Sequence, residues 1–247
     1  MGKKKSEYKD RTDGRQMVLT SILLVLLALV CVTAATIAWF SIADRTKVRS
    51  MSMEVTTGVN LRFDLNAHSE FEEYVKTLTF EEIATRIRQE KGLDMREVPL
   101  EPVTTSDYQN YTLEDGTVVE SSQGSYLEFT LHFMSTKDMV VHLTAADSSG
   151  KNDGTAVTSS NQSLPKAMRI SFTIGSQTKV YDPGVGNSEL ELFPLKEYTN
   201  QPVLVHIWLE GTDEACTDAL RGADYAIRLR FVGTDEDGNV LDGTEER

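Results

Sequence analysis

A chain of 247 residues, 40% hydrophobic and with a formal net charge of −13, has the length of one ordinary domain plus an appendage. Its first sixteen residues carry +3, from Lys3, Lys4, Lys5, Lys9, Arg11 and Arg15 against Glu7, Asp10 and Asp13, which leaves the remainder at −16. A body that acidic repels phosphate backbones and anionic headgroups, so nucleic-acid binding and adhesion to bare lipid are excluded as its work.

From Met17 to Phe40 there are 24 residues without a formal charge, dense in Leu, Val, Ile and Ala. As a helix this run measures ~36 Å at ~1.5 Å per residue, enough for a hydrocarbon core of ~30 Å. Basic residues before it and acid after it predict a cytoplasmic N-terminus and an exported body. Two fates fit the residues at its outer end. As a signal peptide it can be cut before Trp39, with Thr36 and Ala38 at the small positions, or before Asp44, with Ser41 and Ala43 there. Left uncut it is a signal anchor whose Trp39 and Phe40 lie at the membrane interface, and its length, beyond the ~7–15 apolar residues of an ordinary signal peptide, favours this alternative. Cys31 lies in the apolar run and Cys216 alone in the body, so no internal disulfide is expected, and Val30 before Cys31 argues against lipidation.

After the apolar run the period becomes two. Met51, Met53 and Val55 alternate with polar residues, as do Val59, Leu61, Phe63 and Leu65, which predicts half-buried strands. A helical insert over 69–91 follows: Ser69 with Glu72 and Thr79 with Glu82 have capping-box spacing, and Gly92 is a natural stop. Residues 93–125 are polar and turn-rich. Strong alternation returns at 127–133, 168–174 and 225–231, with weaker candidates at 139–145 and 189–195. Val203 to Leu209 is apolar almost throughout and predicts a central strand covered on both sides. Residues 147–165 read as a loop, and the last hairpin, 233–241, turns at Asp237-Gly238. Eight or nine short strands with one helical insert predict a mainly β fold: an antiparallel two-sheet, jelly-roll-like sandwich behind an N-terminal hydrophobic helix.

Catalytic chemistry finds few of its usual parts. The four histidines, His68, His132, His142 and His206, stand singly, with no His-Glu-x-x-His among them. A metal site would need His132, His142 and His206 to meet across neighbouring strands; partly wet strand histidines are the plainer reading. Asp235, Asp237 and Asn239 have the alternate spacing of a calcium loop, but Val240 stands where the turn wants glycine and no closing glutamate follows. Glu210, Asp213 and Glu214 read as a wet sheet end. No cofactor is expected, and weak surface calcium is the most these acids offer.

A basic start, a long apolar run, Ala38-Trp39-Phe40-Ser41 and then Thr57-Gly58-Val59-Asn60-Leu61 resemble the camelysin/TasA family of Gram-positive exported proteins, whose signal peptides are cut by a SipW-type peptidase. Ile207-Trp208-Leu209-Glu210-Gly211 is similar to strands of clostridial relatives. The resemblance implies a jelly-roll subunit of extracellular matrix fibres whose freed N-terminal segment lies in the next subunit's sheet. It favours the cut before Trp39 and makes Ala38, Trp39, Phe40 and Ile42 the cleavage and assembly residues. The metallopeptidase label of camelysin finds no matching zinc ligands here.

The expected division is therefore a signal peptide or anchor at 1–38, a linker or donor strand at 39–50, and a sandwich at 51–247. The expected function is an extracellular or cell-surface structural protein, non-enzymatic, with signal peptidase and further copies of itself as partners and membrane contact through 17–40 at least before processing. An anchored extracellular binding module is the alternative, and a secreted metallopeptidase the second alternative.

Overall fold

The computed structural model describes residues 20–29, 46–47, 50–54, 60–95, 99–144, 154–185 and 189–241. The chain divides into two units, 1–44 and 45–247. In the first, residues 20–29 form a helix, α1, with Ile22, Leu23, Val25 and Leu27 more than half exposed. Among the described residues no helix is long and apolar enough to cross a membrane. The rest of the 17–40 run, with Ala38, Trp39, Phe40 and Ile42, lies outside the described residues.

The second unit is mainly β. It opens with two short strands, β1 (Thr46–Lys47) and β2 (Ser50–Glu54), followed by β3 (Leu61–Asp64) and β4 (Thr77–Leu78). Helix α2 (Phe80–Lys91) forms as its capping box predicts: Thr79 Oγ1 accepts from the Glu82 amide, and Glu82 Oε2 accepts from the Thr79 amide at 2.7 Å. Ile83, Ala84 and Ile87 give it one buried face, and Gly92, at φ +72°, ends it in the left-handed region. Thr79→Ala should cost about 1 kcal/mol, read from the urea unfolding midpoint.

The insert is less helical than expected. Ser69 and Glu72 do not cap a helix; Glu70 and Glu73 form the box instead, and it holds only a 3-10 turn, Phe71–Glu73, before the chain returns to extended structure at β4. The turn stays because Phe71, Tyr74 and Met134 form a small cluster beneath it and the Arg62 guanidinium lies 4.5 Å over the Phe71 ring.

Beyond α2 come β5 (Pro99–Leu100), β6 (Pro102–Val103), β7 (Tyr111–Thr112) and β8 (Val118–Val119), two-residue strands in the stretch that shows no period. The longer strands follow: β9 (Leu127–Ser135), β10 (Met139–Leu143), β11 (Ala156–Ser159), β12 (Met168–Ile174), β13 (Gln177–Tyr181), β14 (Leu190–Leu195), β15 (Gln201–Glu210), β16 (Tyr225–Leu229) and β17 (Phe231–Thr234). A short helix, α3 (Leu164–Ala167), precedes β12, so the expected loop over 147–165 holds both a strand and a helical turn.

β15 is central, as its apolar run predicts: the largest sheet runs β13-β12-β15-β9-β3, with β6 beside the far end of β15. A second sheet runs β14-β10-β17 and a third β11-β16-β2-β4, while β1 pairs β5 and β7 pairs β8. Most pairs are antiparallel; β2 with β16 and β6 with β15 are parallel.

The single strand expected over 225–231 is two, in different sheets. At Arg230 the backbone amide bonds to Thr155 Oγ1 at 3.1 Å and the carbonyl accepts the Thr144 amide at 2.9 Å, so β16 leaves one ladder and β17 enters another. One core joins the three larger sheets and α2. At its centre the Phe133 ring lies 5.9 Å from Phe63, 5.4 Å from Phe193 and 5.1 Å from Phe231.

Candidate functional site

The second strand of the second unit, β2, holds an interior position. β2 runs parallel to β16, Ser50 to Met53 opposite Ala226 to Leu229, and on its other side antiparallel to β4, Met53 opposite Leu78. β16 is distant in sequence from β2, so its ladder is completed by a segment from the start of the second unit. Take β2 away and β16 keeps only β11, while β4 loses the strand it pairs with. What remains is a slot one strand wide between two unpaired edges, the condition that invites another strand.

A second arrangement lies on the face of the largest sheet turned away from the main core. Ser171 on β12, His206 on β15 and Glu128 on β9 are successive cross-strand partners in one row. His206, 2% exposed, places Nε2 3.0 Å from Glu128 Oε2, and Lys91 from the end of α2 donates to Glu128 Oε1 at 2.6 Å. Over this row sit Tyr111 and Tyr126, stacked at 4.1 Å, with the imidazole edge-on to both and Trp208 completing the cluster. The Trp208 indole donates to Glu210 Oε2 at 3.0 Å.

The hydrogen bond with His206, joined by the Lys91 ammonium, outweighs burial and holds the Glu128 carboxyl down to about 2. Its folded pKa lies below the ordinary ~4.3. It therefore contributes stability that is complete above that ordinary value and is lost as pH falls through about 2. Glu128→Gln should lower the urea midpoint at neutral pH, and its difference from the native chain should shrink from about pH 5 to about pH 2.

Ser171, His206 and Glu128 are the residue types of an acyl-transfer relay, but Ser171 is 0% exposed beneath Tyr111, and no substrate carbonyl reaches its hydroxyl in this conformation. The row ties α2, the β7–β8 hairpin and the sheet together.

The histidines weighed as metal ligands are dispersed. His132 Nδ1 lies 3.1 Å from Asn200 Oδ1, four residues along β9 from the partner of His206, which is ~13 Å at ~3.3 Å per residue. His142 belongs to a different sheet, between Thr234 Oγ1 at 3.1 Å and Glu189 at 3.3 Å. No cluster of three or more metal-ligating side chains occurs among the described residues.

The acids serve their own loops. Asp235 accepts the Asn239 side-chain amide at 3.1 Å and the backbone amides of Asn239 and Asp237 at 2.8 and 3.0 Å, which lowers its pKa and closes the hairpin where Gly238 takes φ +81°. Asp213 accepts the Ala215 amide and pairs with Arg169 at 2.5 Å. Cys216 is a free, partly buried thiol whose pKa burial pushes up.

Lys91, Tyr111, Glu128 and Ser171 are absent from the sequence-level candidates. One signal points to them: a histidine inside a strand that reads as covered on both sides must find a buried partner. No protein-family model, no curated protein and no solved structure matches this chain.

Proposed function

We propose that this chain is an exported, non-enzymatic structural subunit of an extracellular matrix or surface fibre, a jelly-roll-like two-layer sandwich that joins its neighbours through its N-terminal strand. The observation that carries this reading is β2, a strand from the start of the second unit lying between β16 and β4. A slot filled by a chain's own early strand can be filled by the same strand of the next copy, with the same ladder hydrogen bonds. A head-to-tail exchange that does not close on itself builds a filament. Trp39, Phe40 and Ile42 then enter just ahead of the exchanged strand. The N-terminal resemblance to the camelysin/TasA family points the same way. Ring contacts between Phe133 of the largest sheet and Phe193 and Phe231 of the second support two layers about a common core.

A second reading, a membrane-anchored extracellular binding module, draws support from α1, whose exposed leucines and valines suit lipid. N-terminal sequencing separates the two. Fibre-associated protein should begin at Trp39 or Asp44, released by signal peptidase. Protein found only in membranes with Lys3 to Lys5 intact would overturn release and leave the anchored module.

A further inference from the structure

Three polar atoms on the covered face of the largest sheet have no hydrogen-bond partner: Tyr111 Oη, Ser171 Oγ and His206 Nδ1. Tyr111 and Ser171 are 0% exposed and His206 2%. They belong to one place. Ser171 and His206 are cross-strand partners, the Tyr111 ring stands edge-on to the imidazole with centroids 5.3 Å apart, and the phenol faces the Ser171 hydroxyl without closing a direct bond of good geometry. Tyr225 Oη and Ser135 Oγ, also buried and unpartnered, are on other strands. A buried hydroxyl left dry forfeits its hydration with no return, and three such atoms in one cluster point to a shared partner.

We propose that Tyr111, Ser171 and His206 bind one ordered water molecule that fastens the β7–β8 hairpin to the sheet. In the tautomer that donates Nε2–H to Glu128, Nδ1 of His206 is a bare acceptor. The water donates one hydrogen to this Nδ1 and the other to Ser171 Oγ, and it accepts the Tyr111 hydroxyl proton. Each orphaned atom is then satisfied, and the water makes three bonds, the usual number for a buried one. The bridge also accounts for a cover whose own strands are two residues long staying seated on the sheet.

The test is a crystal structure of the purified protein at a resolution that shows waters. Density about 2.7–3.2 Å from all three atoms is the expected result. A direct Tyr111–Ser171 hydrogen bond with nothing between them and His206 overturns the proposal. Tyr111→Phe and Ser171→Ala, which remove only hydroxyls, give a second reading. Each should raise the unfolding equilibrium constant about fivefold to tenfold, and the double variant should fall short of the product, because both act through one water. Variants as stable as the native chain, or more so, show that the atoms were dry and refute the bridge.

Discussion

A chain lacking residues 39–54 should form no filaments, and hydrogen exchange at the β16 amides should quicken on the order of a hundredfold or more, because β16 then borders an empty slot instead of β2. β4, which pairs with β2 at Thr77 and Leu78, should lose protection as well. The largest sheet should keep its protection, since β13, β12, β15, β9 and β3 make no pairing with β2. Supplying a synthetic peptide of residues 45–56 in trans should restore slow exchange at β16, as a neighbour's strand would in the proposed fibre. Filaments of unchanged abundance from the deleted chain, in electron micrographs, would remove the reason for invoking strand exchange.

Phe133→Ala should be the most damaging single substitution in the core, lowering stability by about 3–5 kcal/mol, with a matching fall in the thermal midpoint. Phe133 is fully buried, and its ring meets Phe63 on its own sheet and Phe193 and Phe231 on the second. Removing it leaves a cavity facing three rings whose strands are each held by a ladder to a neighbour, so the surroundings collapse only partly into the gap. A cost below about 1 kcal/mol would mean that the two sheets do not share a packed centre.

Local rules made much of the fold legible. Alternation at 168–174 marks β12 to the residue, and Thr79, Glu82 and Gly92 fix both ends of α2, because a cap and a left-handed stop depend on neighbours in sequence. The apolar run 203–209 marks the central strand for the same reason. What escaped depends on distant groups. The period runs unbroken through Arg230, yet Thr155 and Thr144 claim its backbone from more than seventy residues away and split the strand. The parallel seating of β2 beside β16 leaves no trace in either segment's own pattern. The Ser171–His206–Glu128 row escaped likewise, since each member is an ordinary polar residue until the register sets them side by side.

The most direct measurement of strand exchange uses the register itself. Ser50 and Ala226 are cross-strand partners in the parallel pair, and the ~4.8 Å spacing of neighbouring strands falls within the Cα range of a disulfide. With Cys31 and Cys216 replaced by serine, a chain carrying Ser50→Cys and Ala226→Cys should, when oxidised as assembled fibres, run on a non-reducing gel as a ladder of covalent oligomers. A single internally bridged monomer band from fibres would contradict the account, placing every N-terminal strand in its own subunit.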